Sequence, residues 1–232
     1  MSSVLLYAGY SPSHPSRKNP PRRTARVVHP AKERTSTAMK EDILEQLVDD
    51  YLQANGYFTR HNVKFKPLTT ADGFVANDDR VDSDVDVVGI NPKVEGPKRV
   101  LVVSCKSWQG GFDPTYWISC IEHNKIISGR PAWKAFRELV MKKWADALIA
   151  KTRELTGTQS FTYVTAVTKL TGPESKWVEH EMFSRNLCGN PIKILTLEQI
   201  LEYLYKNIGT AVAPSEVGRL LQVMKACGWK PA

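Results

Sequence analysis

Residues 83–108 read SDVDVVGINPKVEGPKRVLVVSCKSW, and this stretch decides the fold. Two valine-rich runs, residues 83–90 and 100–106, flank a loop that contains proline and glycine. Runs of β-branched residues separated by such a loop are typical of paired antiparallel strands. The stretch therefore predicts a hairpin whose strands end in polar side chains.

The register of this hairpin determines which polar side chains meet. Side chains alternate between the faces of a strand, so Asp84 and Asp86 share a face of the first strand, and Ser104 and Lys106 share a face of the second. With the turn centred near Glu95, Asp86 lies opposite Ser104 and Asp84 opposite Lys106. A slip of one residue would move the whole set to the other face. The expected register gathers carboxylates and one lysine where the apolar strands end.

Such a cluster suits a divalent cation. Neighbouring carboxylates repel each other unless a cation lies between them, and oxygen ligands favour Mg²⁺ or Mn²⁺. A lysine beside a metal can orient an attacking water or neutralise charge that builds up on a phosphate. The same residues also suit a solvated hairpin with surface acids and a surface lysine. The pattern leaves both interpretations open.

The chain resembles a known nuclease family over about residues 40–110. Asp86-Val-Val-Gly-Ile followed by Val-Leu-Val-Val-Ser-Cys-Lys106 is similar to the PD-(D/E)XK superfamily, with an Asp on one core strand and an acidic-x-Lys on the next. Residues 45–57, EQLVDDYLQANGY, resemble the first helix of archaeal resolvase-like and Mrr-like members. The resemblance implies an α/β fold of the restriction-endonuclease-like type, three layers (α/β/α) with a central mixed sheet.

The resemblance also implies a catalytic site. It implies that Glu45 and Asp86 hold Mg²⁺ or Mn²⁺, together with the backbone carbonyl of Cys105. Lys106 then orients the attacking water. Ser104 departs from the family pattern, because it stands at the acidic position and a hydroxyl is a weaker metal ligand than a carboxylate; it would act catalytically by holding a water. Asp84 has two interpretations, a ligand that makes up for Ser104 or a partner of Lys106.

Composition divides the chain into three predicted parts. Residues 1–38, with seven Lys or Arg against one acid, are expected to form a disordered basic leader. This leader is compatible with a transit peptide, an upstream extension or a phosphate-binding arm. Residues 39–208 are expected to form the nuclease-like domain, with a helical insertion at about 114–156. Residues 209–232 are expected to form a C-terminal helical extension.

Periodicity predicts the remaining elements. Apolar residues at helical spacing indicate helices over 40–55, 114–128, 131–155, 174–186, 197–207 and 214–227. Alternating or β-branched runs indicate strands over 57–65, 161–168 and 192–197. The strand–helix–strand–helix order after residue 160 favours a sheet with helices on both faces.

Charge and cysteine content exclude some classes of protein. No apolar run approaches the ~18 residues of a membrane span, so we expect no membrane partner. The four cysteines form no CxxC pair, which argues against zinc or a disulfide framework and favours a cytoplasmic location. Most of the net charge of +8 lies in residues 1–38, so overall basicity is poor evidence for DNA binding by the folded part.

Local basicity is better evidence for a nucleic-acid partner. Eight Lys or Arg and three acids lie between Lys125 and Glu154, directly after the predicted site. We expect six residues to contact nucleic acid: Lys134, Arg137, Lys142, Lys143, Trp108 and Gln109. The alternative is a solvated helix face beside a tryptophan that packs under its loop.

Two functions follow from these residues. The first is a Mg²⁺-dependent DNA endonuclease of restriction, phage defence or repair; members of the superfamily often act as homodimers to cut both strands. The second is a DNA-binding or assembly subunit that keeps the nuclease fold with an attenuated site, as Ser104 suggests. A dinucleotide-binding enzyme is disfavoured, because the chain lacks the GxGxxG and GxxxxGK[ST] loops that cradle phosphates.

Overall fold

The predicted hairpin is confirmed, and it forms the middle of a five-stranded sheet in the computed structural model, which describes residues 43–213 and 215–230. The strands are β1 (Phe58–Phe65), β2 (Ser83–Ile90), β3 (Val100–Lys106), β4 (Ile126–Ile127), β5 (Arg130–Pro131), β6 (Thr162–Val167) and β7 (Ile192–Thr196). The main sheet has the order β1-β2-β3-β6-β7, and β4 pairs with β5 separately. Its first two pairings are antiparallel and its last two are parallel, so the sheet is mixed. The predicted leader, residues 1–38, lies outside the described residues.

Helices surround this sheet. They are α1 (Ile43–Ala54), α2 (Ala76–Asp79), α3 (Pro114–Glu122), α4 (Arg137–Val140), α5 (Lys142–Thr156), α6 (Ser175–Val178), α7 (Glu181–Asn186), α8 (Leu197–Asn207) and α9 (Glu216–Ala226). Short 3-10 turns occupy Gly96–Arg99 and Ala132–Phe136. The predictions for α1 and α8 are confirmed, and a capping box between Thr196 and Gln199 fixes the start of α8.

Each face of the sheet has its own core, because successive strand residues send side chains to opposite sides. On one face, α1, α8 and α9 pack over Val87, Val103 and Ala166. On the other, which we call the Tyr163 face, α3 to α7 pack over Val102 and Tyr163. The chain is therefore an α/β fold with a mixed central sheet and helices on both sides.

The prediction of a single helix over residues 131–155 is wrong. Residues 132–136 form a 3-10 turn, and Met141, with φ −114° and ψ 121°, separates α4 from α5. This break allows Phe136 in the turn and Trp144 in α5 to be buried in the same core. Tertiary packing here overrides a continuous helical period.

Two other predicted helices are shorter than expected. The helix predicted over 114–128 ends at Glu122, and Asn124 and Ser128 have left-handed φ values of 46° and 48° that turn the chain into the β4–β5 ladder. The helix predicted over 174–186 is divided into α6 and α7, because His180 has extended backbone angles.

The C-terminal helix packs onto α1. The Ser215 hydroxyl, at the N-cap of α9, donates a hydrogen bond to the Asp50 carboxylate. Leu221 is buried with Leu44 and Leu47 in the core that α1 shares with α8. Helix α9 thus contributes to the core on the side of the sheet away from Tyr163.

Candidate active site

The two strands of the hairpin separate at Asp86. Their ladder has the predicted register and ends at Val87 opposite Val103. Beyond this pair a side chain replaces the backbone as hydrogen-bond partner: Asp86 Oδ2 accepts a hydrogen bond from the backbone N–H of Cys105 at 2.5 Å. We call this region the fork: Asp84, Asp86, Ser104, Cys105 and Lys106. The two predicted pairs, Asp86 with Ser104 and Asp84 with Lys106, therefore lie in the fork and are not part of the ladder.

The pairing of β1 with β2 is interrupted beside Asp86. The neighbouring strand β1 has a left-handed residue, Asn62 with φ 50°, at the position across from Asp86. Val85 and Val88 both lie in the core on the Tyr163 face, which strict alternation along a strand would not allow. The irregularity between these two valines lets the Asp86 side chain reach the backbone of β3.

A buried glutamate that the sequence analysis missed lies behind the fork. Glu138 of α4 is only 4% exposed, and its Oε1 accepts a hydrogen bond from the Tyr163 hydroxyl. A hydrogen bond also links Ser104 to Tyr163. One sequence signal could have pointed here: Tyr163 lies in the run FTYVTAVT, which is typical of a strand in the core, and a buried tyrosine hydroxyl needs a polar partner.

The carboxyl group of Asp86 lies in an unfavourable electrostatic environment. Burial raises its pKa above the ordinary aspartate value, the Cys105 N–H and the Lys106 ammonium act in the opposite direction, and the charges of Asp84 and Glu138 raise it again. The net direction is upward. Burial and the neighbouring carboxylates therefore outweigh the N–H donor and the Lys106 charge, and the ionised form of Asp86 is disfavoured.

The Tyr163 hydroxyl remains protonated at neutral pH. Burial raises its pKa well above the usual tyrosine value, and the Glu138 carboxylate raises it further, whereas the hydrogen bond from Ser104 acts in the opposite direction. The Ser104 side chain is 3% exposed. Ser104 therefore belongs to a buried hydrogen-bonded group at the base of the fork.

Lys106 lies over an aromatic cluster. Its ammonium is 5.3 Å from the centroid of the Phe136 ring, on the Tyr163 face of the sheet. Phe136 in turn contacts Trp108 and Trp117 edge to face, with centroids 5.9 and 5.4 Å apart. The cation–π contact orients the lysine while leaving its ammonium close enough to lower the Asp86 pKa.

The two remaining acidic residues of the predicted site differ in position. Asp84 is exposed at the open end of β2, and its charge acts on Asp86. Glu45 lies in the first turn of α1, whose buried side chains pack on the Val87–Val103 face. The charges that shift the pKa of Asp86 are those of Lys106, Asp84 and Glu138. The role of Glu45 as a metal ligand stays a prediction.

The four basic residues expected to contact nucleic acid all have partners within the protein. Lys143 is 10% exposed and forms an ion pair with buried Asp79 at 2.7 Å. Lys134 pairs with Asp78 at 2.7 Å. Lys142 pairs with Asp146 one helical turn away, and Arg137 lies over the Trp144 ring at 4.6 Å. Lys143 is thus engaged in a structural contact, and contact with DNA stays a prediction for the set.

Trp108 and Gln109 follow Lys106 directly into a turn. Trp108 is stacked on Trp117 with centroids 4.4 Å apart, and its backbone carbonyl accepts a hydrogen bond from the Thr168 hydroxyl at 2.5 Å. Gln109 is exposed at the tip of the turn. Trp108 therefore packs as part of an aromatic cluster and also borders a cavity together with Lys134 and Arg137.

The donor atoms of the fork suit a hard divalent cation. In residues 43–213 and 215–230, no group of three or more His, Cys, Asp or Glu side chains is placed to hold a metal. Mg²⁺, however, is commonly held by one or two carboxylates, with water and substrate phosphates as the other ligands. Asp84 and Asp86 supply the carboxylates. The carbonyl of Cys105 lies on the same edge of β3 as the N–H of this residue, which donates the hydrogen bond to Asp86. The fork therefore fits such an ion on its donor chemistry.

Comparisons with known proteins do not assign the chain to a family. No family model, no curated protein and no solved structure matches it. Among the described residues, no helix is both long enough and apolar enough to span a bilayer. The residues of the fork are therefore the observations that bear on function.

Proposed function

We propose that this chain is a Mg²⁺- or Mn²⁺-dependent endonuclease that hydrolyses phosphodiester bonds in DNA, built on a restriction-endonuclease-like three-layer α/β/α fold. The mixed sheet with helices on both faces is compatible with that fold. An aspartate on β2 and a lysine at the end of β3 meet where the two strands separate. These are the two positions at which the sequence resembles the nuclease family most closely.

The environment of Asp86 carries the proposal. A half-buried carboxyl group near two other carboxylates, with one N–H donor and one lysine, is disfavoured in its ionised form. A bound divalent cation would remove this cost by balancing the charges of Asp84 and Asp86. Perturbed carboxylates in such surroundings are candidates for functional sites.

The residues of the fork have separate roles in the proposed reaction. Asp86, Asp84 and the Cys105 carbonyl would hold the ion, which when bound supplies Lewis-acid stabilisation of charge on the phosphate. Lys106 positions the attacking water and balances the negative charge that develops on the phosphate oxygens. Glu138, held by Tyr163, contributes the negative charge that the acidic position of the motif would otherwise supply, because Ser104 is uncharged.

Cleavage of supercoiled plasmid DNA in Mg²⁺ tests the proposal. The wild-type chain should nick or linearise the plasmid, and Asp86→Asn should abolish cleavage because it removes the central carboxylate while preserving its shape. Asp146→Asn is the matched control, since Asp146 is an exposed carboxylate of α5 that pairs with Lys142. If Asp86→Asn and Asp146→Asn cut DNA at the wild-type rate, the assignment of the fork is wrong.

One observation favours the second function, a DNA-binding subunit without cleavage. Ser104 is buried and hydrogen-bonded to Tyr163, so the strand position that is acidic in the family offers no carboxylate. This function predicts DNA binding that weakens steeply with salt, without cleavage in Mg²⁺ or Mn²⁺.

A double variant separates the two functions. Ser104→Glu combined with Glu138→Gln moves one carboxylate from α4 to β3 and keeps the total charge constant. If the native site is attenuated, this variant gains cleavage that the wild type lacks. If the native site is active with Glu138, the double variant gains nothing and Glu138→Gln alone loses activity.

A further inference from the structure

A cavity of about 490 Å³ opens beside the Lys106 end of β3. Its lining includes Trp108 and Trp117, and Arg130, Lys134 and Arg137 from the segment between β5 and α4. We propose that this cavity receives one unpaired base of a DNA substrate. The inference rests on the proposed function, and it specifies the substrate class as DNA that contains an unpaired nucleotide.

The aromatic side of the cavity is suited to base stacking. Trp108 and Trp117 stack with centroids 4.4 Å apart and planes inclined by 21°. Phe136 supports both rings edge to face from the core. Both tryptophans are half-buried, so the pair is held rigidly and still borders the cavity. Rigid indole rings at a cavity wall provide a platform that every base can stack on.

The basic residues of the cavity lining are suited to phosphate. They are three cations, Arg130, Lys134 and Arg137, beside one carboxylate, Asp78, which pairs with Lys134 at 2.7 Å. The Arg137 guanidinium lies over the Trp144 ring, 4.6 Å from the centroid. An aromatic platform and cations in one cavity match a nucleotide, which combines a flat base with an adjacent anion.

The position of the cavity relative to the fork determines how a substrate would lie. Trp108 is two residues beyond Lys106, and Phe136 contacts both the Lys106 ammonium and the tryptophan pair. Glu138 directly follows Arg137 in the chain. A base in the cavity would therefore leave its sugar–phosphate backbone beside the fork.

The size of the cavity favours one unpaired base over paired DNA. A volume of about 490 Å³ falls within the usual range for a small-molecule pocket, ~300–1,000 Å³, and suits one nucleotide. The faces of a paired base are covered by its neighbours in the duplex, so a base can enter only if it is unstacked.

Binding of two matched DNA probes tests this inference. The full chain is titrated, in EDTA, with a short fully paired duplex and with the same duplex carrying one unpaired 2-aminopurine. We expect the second probe to bind about tenfold more tightly or better and its fluorescence to be quenched. Trp117→Leu should lose the preference and the quenching, whereas Trp117→Phe should keep part of both, since phenylalanine retains a face for stacking.

Tyr116→Leu is the matched control. Tyr116 is the neighbouring aromatic residue, it is 52% exposed, and it is not among the residues that line the cavity. It should keep the wild-type preference. The inference is overturned if the wild type binds both probes equally or if Trp117→Leu retains the preference. Failure to bind either probe overturns the inference, whereas a Trp117-dependent preference without cleavage in Mg²⁺ overturns only the proposed function.

Discussion

Two aspartates, buried Asp79 and half-buried Asp86, have opposite surroundings. Asp79 is 1% exposed and accepts hydrogen bonds from Val75 N–H at 2.6 Å, Lys143 Nζ at 2.7 Å and Trp144 Nε1 at 3.0 Å. Burial alone would raise its pKa, but these donors and the lysine charge outweigh burial and lower it. Asp86 accepts one backbone N–H and lies near two other carboxylates, and its pKa is raised.

The difference distinguishes a compensated carboxylate from an undercompensated one. Asp79 is fully compensated, so it fixes the loop between β1 and β2 onto α5 and needs no further ligand. Asp86 is undercompensated, and the protein keeps it at a cost in folding free energy. A cost of this kind is expected where a cation or substrate supplies the missing charge.

The largest effect should come from breaking the compensated site. Lys143→Met leaves Asp79 buried without its cation, and we expect a loss of about 3–5 kcal/mol in the free energy of unfolding. Lys142→Met changes the neighbouring residue, whose exposed pair with Asp146 contributes only about 0.5 kcal/mol. Urea denaturation of both variants measures the difference. Equal losses would show that Asp79 does not depend on Lys143.

At the fork, replacing the lysine should affect catalysis more than folding. Lys106→Met keeps an unbranched side chain beside Phe136 and removes the charge that lies over its ring, so we expect cleavage of DNA to fall by about 10²–10³-fold. The measurement is the single-turnover rate per folded molecule. Lys143→Met, assayed at a temperature where it is folded, should retain the wild-type rate; a comparable fall in both variants would contradict the distinction between the two sites.

A smaller effect is expected at the glutamate behind the fork. Glu138→Gln keeps a hydrogen-bond acceptor for Tyr163 but removes a charge that acts on Asp86. We expect the Mg²⁺ concentration that gives half-maximal activity to rise about tenfold, because changes in residues that support metal ligands weaken metal binding by about that factor. Titration of activity against Mg²⁺ measures it. An unchanged midpoint would remove Glu138 from the site.

The smallest predicted effect is a gain in stability. The folded-state pKa of Asp86 is raised, so its contribution is fully present below the unfolded aspartate pKa and is lost as pH rises through the folded value. Asp86→Asn avoids that loss and should raise the Tm by a few degrees at neutral pH. Thermal melts in EDTA should show the gain shrinking as the pH falls towards the ordinary aspartate pKa. A variant that is less stable than wild type at neutral pH would contradict this account.

Features with a short sequence range could be predicted. The hairpin, its register and the positions of Asp86 and Lys106 follow from the alternation of β2 and β3 and from the turn between them. Helix α1 follows from its apolar stripe and its Asn55-Gly56 stop, and its structure confirms the prediction.

Features that depend on distant contacts could not be predicted. The break at Met141 is needed to bury Phe136 and Trp144 in one core, which no local period encodes. Glu138 reaches Tyr163 across 25 positions of the chain, and within a helical pattern it is indistinguishable from a surface glutamate. The burial of Lys143 against Asp79 has the same origin, since 64 positions separate the two residues.

The most direct test of the central claim is an NMR titration of the side-chain carboxyl carbons of Asp86 and Asp79, with and without Mg²⁺. Without the ion, the account predicts a pKa above the ordinary aspartate value for Asp86 and below it for Asp79. Added Mg²⁺ should lower the pKa of Asp86 and leave that of Asp79 unchanged. An Asp86 carboxyl whose titration does not respond to Mg²⁺ would contradict the assignment of the fork as a cation site.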